Sequence, residues 1–426
     1  MRSSSLFTVA VTLIATSVPG IPALPAQEVV EVTGVDRHIV PEFEEVYRIG
    51  VREGVSQETF ATVRHVSFDD DGNLYVFDGT RLGSPVRILV FGPTGSFVRE
   101  FGSAGGGPGE FRAPVSFVVL RDGTTIVGDL GHGAYHVFDE SGTFTRMVRA
   151  DRRGLAVGPA YGDPGRFGIL TRARSAPARV GSLGSGDTQS PSTVRPIIRV
   201  ELDGEFVKTD TVVRGWLPPR AASEPASLSG STVKVGDRSV GLSGAAMGPG
   251  RSATFEPPLL MGVLPDGSIV YNDSSTYALK LTSRGGGEAA RIVTRPFKPE
   301  PVTERIKEEH RKGPAVYRAT SSSGGGEPAS VSIELPEAPF YHELPVLRAL
   351  STTWEGRIWV QRRGDEPESD GPIDILTAEG EYFGTYRSSE TEMPDAFGPG
   401  GLAAFIELDE FDVASVVVRR LPVEVR

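Results

Sequence analysis

Residues 63–79 read VRHVSFDDDGNLYVFDG and residues 86–102 read VRILVFGPTGSFVREFG; a second passage, VSFVVLRDGTTIVGD at 115–129 and AYHVFDESGTFTRMVR at 134–149, follows the same order. Each passage gives an apolar strand, an Asp-Gly turn, an apolar strand ending in Asp, a loop, a strand ending in Phe, a Gly turn and a last strand. Gly72 aligns with Gly123 and Asp78 with Asp129 at one spacing, and Phe91 with Phe138 and Gly95 with Gly142 at a slightly shorter one. Homologous strands joined by one variable loop produce that pattern. Runs such as Leu74 to Phe77 and Ile88 to Phe91 are apolar at every position, as befits sheets covered on both faces. A four-strand unit of this kind cannot bury its own faces, so it must stack on copies of itself. The expected fold is an all-β six-bladed β-propeller.

Weaker copies fill out the count. A third unit is expected from Arg166 to Thr171, Ile197 to Leu202 and Glu205 to Thr211, and a fourth from Leu260 to Leu264, Ile269 to Asn272 and Tyr277 to Leu281. The fifth runs Leu347 to Thr352, Arg357 to Val360, Ile373 to Leu376 and Tyr382 to Tyr386. The sixth has only Leu402 to Glu407 and Val413 to Leu421, while Glu45 to Val51 is an orphan strand ahead of the first unit. A ring whose ends share one sheet needs both oddities, because pairing across the ends removes exposed edges. The N-terminal strand is therefore expected to join the C-terminal blade.

Composition agrees with a turn-rich β chain: 52 Gly and 33 Pro among 426 residues. Residues 1–26 read as a signal peptide, with Arg2, an apolar stretch from Leu6 to Val18, a Pro19-Gly20 break and small residues at Ala23 to Ala26. Nothing in the chain is apolar over a length that spans a bilayer, so no transmembrane anchor is expected. There is no cysteine, hence no lipid-attachment thiol, disulfide or thiolate metal site. These features predict a periplasmic or extracellular protein, with residues 27–426 forming a single domain. The net charge of −11 without a Lys/Arg cluster argues against nucleic acid as a partner. Insert loops are expected at about 175–193, 221–258 and 296–340, with a possible hairpin at Thr232 to Leu242 and one short helix, Glu300 to Lys312, capped by Gly313.

Val66 to Asp78 (VSFDDDGNLYVFD), Arg87 to Phe91 (RILVF) and Phe101 to Pro114 (FGSAGGGPGEFRAP) resemble the NHL-repeat propellers. The match is close for one repeat and its passage into the next, fair for the second, and faint beyond. More broadly the chain looks like secreted bacterial six-bladed propeller proteins. The resemblance implies the six-fold ring and supplies no active site.

Chemistry-bearing motifs are sparse. Asp69-Asp70-Asp71-Gly72-Asn73 resembles a calcium loop but lacks the distant bidentate Glu, so a turn is expected. Gly102 to Gly109 leads to a strand and not a helix, which suits a link between blades better than a phosphate cradle. The propellers of the amidating-lyase type hold zinc with histidines at inner-strand starts; His65 matches one such place, but Val115 follows Pro114 where the second is due. Gluconolactonase-type propellers hold a divalent ion with Glu, Asn and Asp, for which Asn272 and Asp273 are the nearest counterparts. His132 and His136 carry a four-residue spacing, yet on extended chain four residues span about 13 Å, so no shared ion is expected there. Neither a His-Glu-x-x-His nor a Gly-x-Ser-x-Gly motif occurs.

No catalytic residue, metal or cofactor is predicted; were a calcium or zinc ion held, His65, Asn272 and Asp273 would be its candidates. The expected function is a non-catalytic binding or interaction module, monomeric, taking a protein, peptide or glycan at one face of the ring. The alternative is a metal-dependent hydrolase or lyase, gluconolactonase-like or amidating-lyase-like, with its site in the central channel.

Overall fold

The computed structural model describes residues 27–79, 86–150, 154–173, 194–219, 252–311 and 338–426, together with short strands at 10–12, 226–227, 232–235, 238–241, 246–247, 317–321 and 329–333. Six antiparallel sheets follow one another along the chain. Blade 1 comprises Val63–Phe68, Leu74–Asp78, Arg87–Phe91 and Phe97–Phe101, and blade 2 comprises Pro114–Val119, Thr125–Asp129, Ala134–Phe138 and Phe144–Arg149. Blade 3 is Ala160–Gly162, Gly168–Arg172, Val194–Glu201 and Lys208–Trp216; blade 4 is Leu260–Val263, Ile269–Asn272, Ala278–Thr282 and Ala289–Thr294. Blade 5 is Leu347–Thr352, Ile358–Arg363, Asp370–Leu376 and Tyr382–Tyr386.

Blade 6 is built from both ends of the chain. Ala396–Phe397, Leu402–Leu408 and Ala414–Arg420 supply its first three strands, and Glu44–Ile49 adds the outer one, antiparallel to Ala414–Arg420. The expected closure is the observed one.

The core shows why the sheets must form a ring. Buried apolar residues fall into six clusters, each between consecutive blades. Tyr75, Ile88, Phe117 and Val127 join blades 1 and 2; Ile126, Tyr135, Ile169 and Val200 join 2 and 3. Leu170, Val213, Met261 and Tyr271 join 3 and 4; Val270, Leu279, Leu350 and Val360 join 4 and 5. Trp359, Ile375, Ala403 and Phe405 join 5 and 6. The last cluster, with Tyr47, Val416 and Val418 against Phe68, Val76 and Leu89, returns from blade 6 to blade 1. Successive residues of a strand point to opposite faces, so one apolar strand serves two interfaces at once. Trp359 is fully buried and donates its indole N–H to the Val425 carbonyl at 2.9 Å, which makes it a packing residue.

The inner strands of blades 3 and 6 are three and two residues long, too short to carry a periodicity, and so escaped the sequence pattern. A second addition comes from the N-terminal segment before the closing strand. Glu28–Glu31 lies parallel to Ala289–Thr294 on blade 4, Ile39 and Arg37 exchange backbone bonds with Thr385 of blade 5, and Glu44–Ile49 follows on blade 6. The chain start thus straps three blades along their outer edges. Ala10–Thr12, within the expected leader, pairs antiparallel with Glu28–Glu31.

Among the described residues the helix between blades 4 and 5 spans Glu304–Arg311, shorter than expected because Glu300–Pro301 pairs instead with Glu343–Leu344. Its expected cap, Gly313, and the segment 175–193 lie outside the described residues. Thr232–Val235 pairs with Arg238–Gly241, as the hairpin expectation had it. No described helix is long and apolar enough to cross a membrane.

Candidate functional site

In an up-and-down blade, links from the second to the third strand and from the outer strand to the next blade share one rim; the other links share the opposite rim. On this second rim the connections are tight turns. Asp69 holds one, its Oδ1 accepting from the N–H of Asp71 and Asn73 and its Oδ2 from the Asn73 side-chain amide. Asp139 holds another in the same way, and Asp266 a third, its Oδ1 accepting from the Ser268 N–H. The acidic motif at Asp69 to Asn73 is therefore a turn.

The long insertions all leave the other rim. One separates Arg172 from Val194 within blade 3, one separates Trp216 from Leu260 between blades 3 and 4, and one separates Thr294 from Leu347 between blades 4 and 5. Their roots are anchored by ionic contacts. Arg195 donates to the carbonyls of Trp216, Pro257 and Asp273, at 3.0, 2.6 and 3.0 Å. Asp273 accepts from the Trp216 N–H and from Lys280 Nζ, each at 2.7 Å.

The expected pair, Asn272 and Asp273, takes part in that arrangement. Asn272 spends its amide on the carbonyls of Thr276 and Ala278, both at 3.0 Å, and Asp273 holds the backbone and Lys280. Both residues close the second strand of blade 4. His65 lies on the inner strand of blade 1, packed near the Phe77 ring, so the structure does not gather the three sequence candidates into one site.

It gathers another set. Asp129, His132 and His136 bring one potential ligand atom each to within 4.8 Å of one another, the one such group of three among the described residues. The expectation of separated histidines is corrected here. Residues Leu130 to Gly133 form a turn, with Gly133 at φ 61°, so the chain doubles back instead of extending. The imidazole rings of His132 and His136 lie edge to face with centroids 4.9 Å apart.

Asp129 positions this turn. Its Oδ1 accepts from the N–H groups of Ala113, Gly131 and His132, at 3.0, 2.7 and 3.1 Å, and its Oδ2 accepts from Arg112 N–H at 2.7 Å. Oδ2 also lies 3.1 Å from His132 Nδ1. Burial works to raise this carboxyl, but the donors from Arg112, His132 and Ala113 outweigh it and hold it below the usual carboxylate range. Asp78 in blade 1 has the equivalent role, accepting from Ala61 and Thr62 N–H at 2.8 Å each and from Arg87 Nε at 3.1 Å. The repeated strand-ending Asp is thus a clamp on the link into its own blade.

What the repeat does not explain is the pair of histidines. His136 is completely buried beside Phe111 and Phe144, and burial, with His132 adding to it, pushes its imidazole down to about 4. Neither ring nitrogen of His136 has a hydrogen-bond partner, nor does His132 Nε2. Leaving a buried polar group unpaired costs about 1–3 kcal/mol. Three such atoms side by side need a reason.

No protein-family model matches the chain, and no curated relative does either. Solved structures resemble it at the level of overall shape. A putative exported protein from Bacteroides fragilis is 10% identical over 92% of this chain and 98% of its own, at a TM-score of 0.45. A member of the DUF4221 family from Bacteroides vulgatus is 10% identical over 91% and 99%, at 0.47. A virginiamycin B lyase from Staphylococcus aureus is 12% identical over 89% and 100%, at 0.37. The six-bladed ring described above rests on the strand pairing of this chain, not on these likenesses.

Proposed function

We propose that the protein is an exported binding module whose ligand, a protein, peptide or glycan, docks on the insertion-bearing rim. The asymmetry of the two rims carries this reading. One rim consists of tight turns, several of them held by an Asp side chain, whereas three insertions leave the other, with Arg195, Asp273 and Lys280 bracing the root of one of them. Loops presented on a rigid scaffold are where recognition residues accumulate. The signal-like start and the absence of cysteine support an extracytoplasmic site of action. The NHL-like motifs of blade 1 fit a propeller used for recognition.

The test compares the full chain, a variant with residues 175–193 and 221–250 replaced by short Gly-Ser links, and an Asp139→Ala/Asp266→Ala variant of the opposite rim. Each is applied to immobilised peptide and glycan libraries after its fold has been checked by circular dichroism. Retention by the full chain and the opposite-rim variant, lost on shortening, is the expected result. Binding that survives loop removal, or is lost only with the opposite rim, overturns the assignment.

A further inference from the structure

We propose that His132 and His136 bind a transition-metal dication of the zinc class, with Asp129 as the positioning residue. The three unpartnered nitrogens carry the inference. Each is a buried imidazole nitrogen without a hydrogen-bond partner, on two rings whose centroids are 4.9 Å apart. Imidazole nitrogen is a preferred ligand of zinc, copper and nickel, whereas calcium and magnesium take oxygen. A cysteine-free chain has no thiolates to compete for such an ion.

The hydrogen bonds assign the parts. Both oxygens of Asp129 are engaged by backbone N–H groups, so the carboxylate is poorly placed to be a ligand itself. Its contact with His132 Nδ1 instead favours the tautomer with the proton on Nδ1, which leaves the lone pair of Nε2 available to a metal. A carboxylate behind a ligating histidine is the usual second layer of such sites and raises the basicity of the ligand. Metal bonds to nitrogen run about 2.0–2.1 Å, so two ligand atoms sharing an ion lie at most about 4 Å apart. One potential ligand atom from each of Asp129, His132 and His136 already stands within 4.8 Å of the others, and the proposal requires the His132 ring, on its hairpin turn, to rotate until Nε2 meets that spacing. His136 is held in a strand and packed against Phe111 and Phe144.

Two protein ligands leave coordination positions for water or for a donor from outside. The site lies on the turn from the second to the third strand of blade 2, and therefore on the same rim as the insertions. The inference does not depend on which ligand docks there.

The experiment uses tag-free, EDTA-stripped protein at neutral pH, titrated with Zn2+ by calorimetry and with Co2+ by visible absorption. The wild type is expected to take up one ion per chain, with a Co2+ spectrum of nitrogen and oxygen ligation. His132→Gln and His136→Phe are each expected to lower affinity at least tenfold, and His342→Gln, at an exposed site, to leave it unchanged. His136→Phe preserves an aromatic ring in an aromatic surrounding; should it fail to fold, His132→Gln on the turn decides alone. No stoichiometric uptake by the wild type, or equal uptake by the His132 and His136 variants, overturns the proposal.

Discussion

Tyr47 and Val418 face each other across one antiparallel ladder, although one lies near the start of the domain and the other near its end. Tyr47 also covers the turn of blade 1 at Gly95, where φ is 81° and a Cβ would stand 2.8 Å from the Tyr47 ring. The closing strand thus touches both blades of the seam. A propeller with an unpaired last blade would expose a sheet edge and the apolar face of blade 1, both of which promote association.

Removal of residues 27–52 follows directly from this geometry. The deletion takes away the outer strand of blade 6 and also the strap across blades 4 and 5. The truncated chain is expected to melt at lower temperature, with reduced cooperativity, and to associate in a concentration-dependent way. Calorimetry and analytical ultracentrifugation check it; a monomer with an unchanged melt contradicts the closure.

The strap is secured by charge. Arg295, on blade 4, is almost wholly buried and donates to Asp374 Oδ2 of blade 5 at 2.7 Å and to Asp36 Oδ1 of the strap at 2.9 Å. Arg362 of blade 5 reaches the other Asp36 oxygen at 2.5 Å. Burial would raise the Asp36 carboxyl, but Arg362 and Arg295 together hold it below the usual range. Replacing Arg295 with Met leaves Asp374 buried beside fewer cations, a loss of about 3–5 kcal/mol for a broken buried pair. The double change Arg295→Met/Asp374→Leu is expected to recover much of that in urea denaturation, since no lone charge then remains.

How much of this was legible in the sequence depends on the range of the interaction. The Asp-Gly turns and the strands of blades 1, 2 and 5 were readable because turn chemistry and apolar runs are local. Gly72, Gly123, Gly267 and Gly356 all adopt positive φ, as such turns require. The closing strand was readable by elimination, as an unpaired element matched to an incomplete blade. The strap at Glu28–Glu31 was not, because its partner Ala289–Thr294 is distant in sequence and one strand added in parallel leaves no local mark. The histidine pair was misjudged for a related reason. On extended chain His132 and His136 would stand apart, whereas Gly133, at positive φ, allows the turn that Asp129 gathers.

Acid should expose a second consequence of burial. His65 is pushed down to about 4 by desolvation, with the neighbouring Arg64 charge adding to it. The unfolded chain takes up that proton near pH 6.5, so between pH 6.5 and about 4 the unfolded state binds more protons than the native one. The stabilisation is therefore complete above pH 6.5 and is lost as pH falls through that window, to a total of about 3 kcal/mol. Urea midpoints at pH 7 and pH 4.5 contain this contribution together with that of His136, which is pushed down to about 4 as well, and the His65 share is the difference between wild type and variant. His65→Leu is expected to flatten this part of the profile, and an unchanged slope would sink the assignment.

The strand-ending clamps offer the sharpest comparison between the repeats. Asp78 and Asp129 occupy equivalent places, and each gathers the backbone that leads into the inner strand of its blade. Asp78 adds Arg87, whose guanidinium also reaches the carbonyls of Ser56 and Thr59 at 2.9 and 2.7 Å. Truncation to Ala leaves buried N–H groups without acceptors, at about 1–3 kcal/mol for each group left unsatisfied. Asp78→Asn keeps one acceptor oxygen and is expected to cost less than Asp78→Ala. At Asp129 the order should be the same for stability in the stripped protein. The two positions should part on addition of Zn2+: Asp129→Asn weakens uptake by disturbing the His132 tautomer, while Asp78→Asn leaves it intact. Equal effects on metal uptake would show that Asp129 acts there only through the fold.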